Sequence, residues 1–167
     1  MICTTISAII CHYYFISDFA TTSDLSFKKG QVKPMAKLNV GVIGATGMVG
    51  QRFLTLLENH PYFEITALMA SKRSAGKTYR EALAGRWKLT TPCPEWVLDM
   101  EVMDAEGVSG VAPLVDFVFC AVNMPKADVL ALEELYAKAE IPVVSNNSAN
   151  RWTPDVPMVI PEINREH

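Results

Sequence analysis

Three glycines spaced three apart, Gly44, Gly47 and Gly50, follow an apolar run made by Leu38, Val40, Val42 and Ile43. The stretch over residues 37–50 reads KLNVGVIGATGMVG. Such a run predicts a buried strand that feeds a tight turn, and the turn opens a helix expected over residues 48–59. The N–H groups at a helix start lack intrahelical acceptors and carry the positive end of the helix dipole, so they suit a pyrophosphate. In this setting Gly44 makes the turn, Gly47 lets the backbone approach a phosphate, and Gly50 permits close helix–strand packing. Glycines at this spacing also occur by chance in turns. The strand before them and the helix after them favour the dinucleotide reading.

The segment after the next expected strand bears on which dinucleotide. NAD sites usually place a carboxylate there for the ribose 2′-hydroxyl, whereas NADP sites place a cation near the 2′-phosphate. Ser71, Lys72, Arg73 and Ser74 offer two cations, two hydroxyls and no acid. An arginine can fork onto the phosphate, so the expectation is NADP. A solvated loop tip would have a similar composition. The following Ser74-Ala75-Gly76-Lys77-Thr78 ends like a nucleoside-triphosphate loop, but Ser71 stands where that motif needs its first glycine.

A third polar stretch, Ser145-Asn146-Asn147-Ser148-Ala149-Asn150-Arg151, comes after another apolar run. It is expected at the carboxyl edge of the sheet, where open α/β sheets bind ligands. Its Asn and Ser side chains are candidates for the nicotinamide end, and Arg151 for a carboxylate or phosphate. An Asn-rich turn with a surface arginine is an equal alternative on these residues alone. His12, His60 and His167 stand in no Ser, Cys or Asp sequence signature and receive no catalytic role. Cys120 is expected to be inert in the core, and Cys93, flanked by prolines, to be structural or incidental. The four cysteines form no CxxC pair and no Cys/His spacing suited to zinc, so no metal is expected and a reducing, cytoplasmic setting fits.

Positioning these groups requires alternating strands and helices. Val49, Phe53, Leu56 and Leu57 give the first helix an apolar face, and it is expected to end near Asn59-His60-Pro61. Strands are expected over residues 64–70, 97–104, 115–122, 141–145 and 156–160. Residues 80–96, broken by Gly85, Pro92 and Pro94, show no period. Residues 126–140 read as a helix with Leu132, Leu135, Tyr136 and Ala139 on one side and a Glu134–Lys138 pair on the other. The near-continuous apolar run VDFVFCAV suits a strand covered on both faces. The expectation is an α/β fold with a Rossmann-type, doubly wound, mostly parallel sheet over residues 35–167.

The 167 residues suffice for one domain with a real core. Net charge is −3 without a basic block, which argues against nucleic acid or an anionic membrane as partner. Residues 1–34 differ in character from residues 35–167. The apolar stretch over residues 6–16 is too short to span a membrane and lacks a basic n-region; residues 17–33 read as a polar linker. The expectation is a leader outside the domain, with Met35 as the natural start.

Five blocks carry a family resemblance: VGVIGATGMVGQRF, HPYFEITAL, ASKRSAGKTY, SNNSANR and VPMVIPEINREH. In order and register they resemble the aspartate-semialdehyde dehydrogenases, in the branch typical of archaea and fungi. The resemblance runs from Met35 to His167. It implies NADP-dependent reduction of aspartyl 4-phosphate to the semialdehyde with release of phosphate, a step toward lysine, threonine and methionine. By position, Thr46, Gly47, Met48 and Val49 match the family's phosphate-binding turn, Ser71 to Ser74 its 2′-phosphate loop, and Arg151 the arginine that binds substrate phosphate. Met48 stands where a serine is common, so a side-chain bond to phosphate is lost while backbone contacts stay available. The family's nucleophilic cysteine lies in an Asn-Pro-Asn-Cys segment expected beyond residue 167, with the general-base histidine further on. Its thiolate forms a thioester that hydride from the cofactor resolves. The resemblance also assigns the catalytic residues and most of a homo-oligomer interface to a second domain. On this reading the chain alone binds cofactor without turning over. A non-catalytic dinucleotide-binding sensor module, or a related acyl-phosphate or acyl-CoA reductase, is the alternative.

Overall fold

The computed structural model of the chain describes residues 2–4 and 36–164. The apolar stretch over residues 6–16, the linker reading of 17–33, Met35 and His167 lie outside the described residues. Strand β1 is Ile2–Thr4, β2 is Leu38–Ile43 and β3 is Phe63–Ala70. After β4 (Lys77–Thr78) come β5 (Glu101–Asp104), β6 (Phe117–Cys120), β7 (Val143–Ser145) and β8 (Met158–Val159). Helices are α1 (Met48–Leu56), α2 (Tyr79–Leu83), α3 (Glu95–Leu98), α4 (Val108–Val111), α5 (Lys126–Lys138) and α6 (Pro161–Asn164).

The strands form one sheet in the order β4-β5-β3-β2-β6-β7-β1-β8. Among the described residues every pairing is parallel except that of β4 with β5. From β2 the chain first builds outward through β3 and β5, then returns to place β6 on the other side of β2 and β7 beyond it. The order therefore reverses at β2, and the crevice at its carboxyl end is the place where such sheets take ligands. This is the doubly wound, Rossmann-type architecture that the strand–helix alternation predicts.

Both faces of the sheet are covered, and the period of two along the strands sorts the core accordingly. Val40, Val42 and Phe119 join Phe53, Leu54, Leu57, Tyr79 and Leu83 on one side. Ile43, Val118 and Cys120 join Val111, Leu132 and Tyr136 on the other. Phe53 stacks on Phe119 with ring centroids 4.6 Å apart, which fastens α1 to β6. Full burial of each such side chain contributes roughly 1.5–3 kcal/mol.

Several elements differ from expectation for identifiable reasons. Helix α1 ends at Leu56 with Leu57 as its C-cap, and Asn59 beyond it takes a left-handed conformation with φ 54°. Its buried stripe is Gly50, Phe53, Leu54 and Leu57, so Val49 and Leu56 lie at its margin. On α5 the inward face is Val129, Leu132, Glu133 and Tyr136; Leu135 is 44% exposed, and Ala139 is exposed past the helix end. The expected Glu134–Lys138 pair forms at 2.9 Å. Residues 97–104 split in two: Pro94 starts the short α3, which buries Val97, and only Glu101–Asp104 is strand. The aperiodic 80–96 region begins with α2, held by a capping box between Thr78 and Glu81. Finally, Ile2–Thr4 enters the sheet between β7 and β8, with Cys3 opposite both Ser145 and Met158. These three residues fall within the segment that the sequence reading takes as a leader.

Candidate cofactor and substrate-side site

Strand β2 ends at Ile43 and the chain turns at once. Gly44 has φ +85°, and a Cβ there would lie 2.7 Å from Ala121 O, so the turn presses against the residue just past β6. The N–H groups of Gly44 and Ala45 both donate to Met69 O, at 2.8 and 3.1 Å, which ties the turn to the end of β3. Gly47 N–H donates to Gly44 O at 3.0 Å, and Gly47 is the N-cap of α1. A Cβ on Gly50 would overlap Gly44 O, so only glycine lets the helix start this close to the strand.

No side chain caps α1 and no acid stands in its first turn. Its first N–H groups are thus directed at the outside without an intrahelical acceptor. Thr46, Gly47, Met48 and Val49 line this opening, and Met48 is 63% exposed, so no described residue covers it. The fit to an anionic pyrophosphate is good: backbone donors, the positive helix end and no competing carboxylate.

Two buried side chains that the sequence did not single out hold the turn from behind. Tyr79 Oη donates to Ala45 O at 2.8 Å; burial pushes the phenol's pKa up, which keeps it a donor. Gln51, wholly buried, donates from Nε2 to Thr46 O and to Arg86 O, both at 3.0 Å. Its Oε1 accepts from Lys88 N–H at 2.8 Å. The loop after α2 is thereby bolted to the turn. On the face expected from Val49, Phe53, Leu56 and Leu57, Gln51 falls on the opposite side of the helix, so the sequence carried no signal for it.

The Ser71–Ser74 loop leaves β3 beside the turn. Ser71 O accepts from Ser74 N–H at 2.8 Å and from Ala75 N–H at 3.2 Å, which curls the loop back on itself. Ser71, Lys72 and Arg73 are exposed, whereas Ser74 is 5% exposed and sits inside the loop. Lys72 is paired with Glu106 at 2.6 Å, and that carboxylate raises its pKa. Arg73 makes none of the ion pairs found among the described residues. The triphosphate-loop resemblance ends here as well. Lys77 and Thr78 pair antiparallel with Val102 and Glu101, so they form a strand and not an anion cradle.

The Ser145–Arg151 stretch leaves β7 on the same carboxyl edge, two strands from the turn. Much of its polar chemistry faces inward. Glu133 on α5 is fully buried; its Oε1 accepts from Ser145 Oγ at 2.5 Å and its Oε2 from Asn150 Nδ2 at 2.7 Å. Asn147 N–H donates to Ser145 Oγ at 3.1 Å, and Asn147 Nδ2 lies 3.3 Å from the same oxygen. Asn150 Oδ1 accepts from Thr153 Oγ1 at 2.9 Å. Arg151 is half-buried, and its Nε and Asn146 Oδ1 are buried atoms without a hydrogen-bond partner among the described residues. Cys120, beside this network, is buried, with its thiol pushed up to about 12 by desolvation and by Glu133. Burial also raises the thiol of Cys93, so neither Cys93 nor Cys120 is poised as a thiolate.

Comparison with known proteins agrees with this fold. The family described as "Semialdehyde dehydrogenase, NAD binding domain" matches residues 39–167. The chain is 50% identical over 129 residues to the aspartate-semialdehyde dehydrogenase of Methanothermobacter thermautotrophicus, covering 77% of this chain and 35% of that protein. It is 44% identical over 133 residues to the Aspergillus fumigatus enzyme of the same name, covering 78% and 34%. Among solved structures, the Candida albicans aspartate semialdehyde dehydrogenase with NADP superposes with a TM-score of 0.72 at 42% identity, over 79% of this chain and 36% of that one. The Vibrio cholerae aspartate semialdehyde dehydrogenase II complexed with ASA gives 0.58 at 27% identity, over 78% and 38%. The chain spans about a third of the length of the curated relatives it matches. With the glycine turn, the crevice at β2 and this match together, the chain belongs to the semialdehyde dehydrogenase family, as its NAD-binding domain.

Proposed function

We propose that the chain is the NADP-binding part of an aspartate-semialdehyde dehydrogenase that reduces aspartyl 4-phosphate and releases phosphate. The observation that carries this reading is the pairing of an uncapped, acid-free helix start with a neighbouring loop whose Arg73 has no counterion among the described residues. Thr46, Met48 and Val49 would hold the pyrophosphate through backbone donors, with Gly47, whose own N–H is taken by Gly44 O, letting the phosphate approach and Gly44 and Gly50 setting the turn. Ser71, Lys72 and Arg73 would receive the adenosine 2′-phosphate; Arg73 offers the free fork, Lys72 shares its charge with Glu106, and Ser74 shapes the loop from within. The cofactor, when bound, supplies hydride to the acyl carbon.

Arg151 would bind the phosphate of the substrate. The nucleophilic thiolate is assigned to the part of the relatives' length that this chain does not span, since Cys93 and Cys120 are held as thiols. A cytoplasmic, homo-oligomeric full-length enzyme completes the proposal. Among the described residues no helix is long and apolar enough to cross a membrane.

The test is an assay of the purified chain for phosphate-dependent NADP reduction by aspartate semialdehyde, with the gene read beyond the His167 codon. No turnover and an in-frame Asn-Pro-Asn-Cys downstream are expected. Turnover by the chain itself would show that one of its four cysteines acts as nucleophile and would overturn the assignment.

A further inference from the structure

Glu133 is an unexpected residue on the inner face of α5. Its neighbours on that face are Val129, Leu132 and Tyr136, and it is as completely buried as they are. Burying a carboxyl group away from water is costly unless its oxygens find donors. Here both do, and both donors come from the same short stretch, Ser145 at its start and Asn150 near its end. The two bonds span the loop as a staple. Ser145 Oγ, held by Glu133, accepts in turn from the Asn147 backbone. Asn150, also held by Glu133, accepts from Thr153. Between these fixed points and at their edge lie Asn146 and Arg151, whose buried Oδ1 and Nε have no hydrogen-bond partner among the described residues.

We propose that Glu133 is a positioning residue for the substrate-side loop: by holding Ser145 and Asn150 it aims Arg151 at the substrate's anionic group. It touches neither cofactor nor substrate. The proposal rests on the reading of Arg151 as an anion-binding residue, and it deepens that reading by saying what sets the arginine's place. It also accounts for the Ser/Asn-rich composition of the stretch: three of those side chains face the network around Glu133, and fewer are left for the nicotinamide end than their number suggests.

The experiment uses the full 167-residue chain labelled with ¹⁵N. Its readouts are amide hydrogen exchange at Asn147 and Val42, the Arg151 Nε–H resonance (identified by its loss in R151K), and titrations with inorganic phosphate and with NADPH. Variants are E133A, E133Q, N150A and, as an exposed control on the same helix, E134Q. In E133A, exchange at Asn147 is expected to rise tenfold or more while Val42 stays protected. The Arg151 Nε–H resonance should move, phosphate binding should weaken at least tenfold, and the NADPH Kd should change less than twofold. E133Q, which keeps the volume and one acceptor, should fall between E133A and the parent. N150A should show the same pattern without removing the carboxyl group, which keeps the test open should E133A fail to fold. The proposal is overturned where Asn147 exchange and the Arg151 resonance stay unchanged in E133Q and N150A. It is equally overturned where Asn147 and Val42 lose protection together, since that marks general destabilisation. Should phosphate leave the parent's Arg151 resonance in place, the anion-binding reading of Arg151 fails, and positioning by Glu133 is still decided by the exchange data.

Discussion

Tyr79 Oη donates a buried 2.8 Å hydrogen bond to Ala45 O, across a sequence separation of 34 residues. This bond joins the start of α2 to the centre of the glycine turn. Gln51 makes a second connection from α1 through Thr46, Arg86 and Lys88. A turn that must present backbone donors without reorganising needs such supports, because its own glycines give it freedom that the site cannot use.

Removing either support should loosen the turn. Tyr79→Phe keeps the ring but strands Ala45 O, at a cost of about 1–3 kcal/mol and several degrees of Tm. Gln51→Leu leaves Thr46 O, Arg86 O and Lys88 N–H without their partner and should cost more. Thermal melts and NADPH titration check both, with Gln51→Leu the weaker binder of the pair.

The glycines should divide by mechanism. Gly50→Ala puts a methyl group into Gly44 O and should displace α1 from the turn, abolishing NADPH binding. At Gly76 a methyl meets nothing within 4 Å, but φ is +76°, so Gly76→Ala carries only backbone strain of about 1 kcal/mol. It should lower Tm slightly and leave NADPH affinity alone. Equal loss of binding in both variants would contradict the steric account.

His60 gives the chain a pH dependence. Its Nδ1 accepts from the Tyr62 and Phe63 N–H groups, its ring stacks on Phe63, and burial with nearby Lys37 lowers its pKa from 6.5. The folded state therefore binds a proton less readily than the unfolded one. Its contribution is complete above pH 6.5 and is lost as pH falls from there through the lower folded value. Tm should fall between pH 7.5 and 5.5, and the fall should be smaller in His60→Asn, whose side chain can accept from Tyr62 N–H without titrating. The two Tm profiles, measured in parallel, test this.

Cys120 should behave as a core residue. Its thiol, pushed up to about 12, stays protonated at pH 8.5, and its burial blocks reagents. Iodoacetamide should leave Cys120 unlabelled in the native chain and label it fully in urea, as read by peptide mapping.

Much of this architecture was legible in local patterns. The apolar run before Gly44, the glycine spacing and the acid-free Ser71–Ser74 loop each act over a few residues, so short-range rules find them. What stayed hidden depends on partners far along the chain. Gln51 looks like an ordinary surface residue of α1 until Arg86 and Lys88 come to it. Glu133 reads as part of an exposed charged pair with Glu134 until Ser145 and Asn150 meet it from 12 and 17 residues away. The α1 and α5 stripes were each misjudged because several apolar positions competed for a face, and packing against the sheet decided between them. Ile2–Thr4 is the extreme case: three residues carry no period, and their place depends on the edges of β7 and β8.

The central claim is that the loop after β3 selects NADP, with Arg73 as the selecting group. Its most direct test is equilibrium fluorescence titration of the chain and of Arg73→Ala with NADPH and with NADH. The parent should bind NADPH at least tenfold more tightly than NADH, and Arg73→Ala should lose most of that preference while holding its NADH affinity. Equal affinities of the parent for the two cofactors would contradict the account.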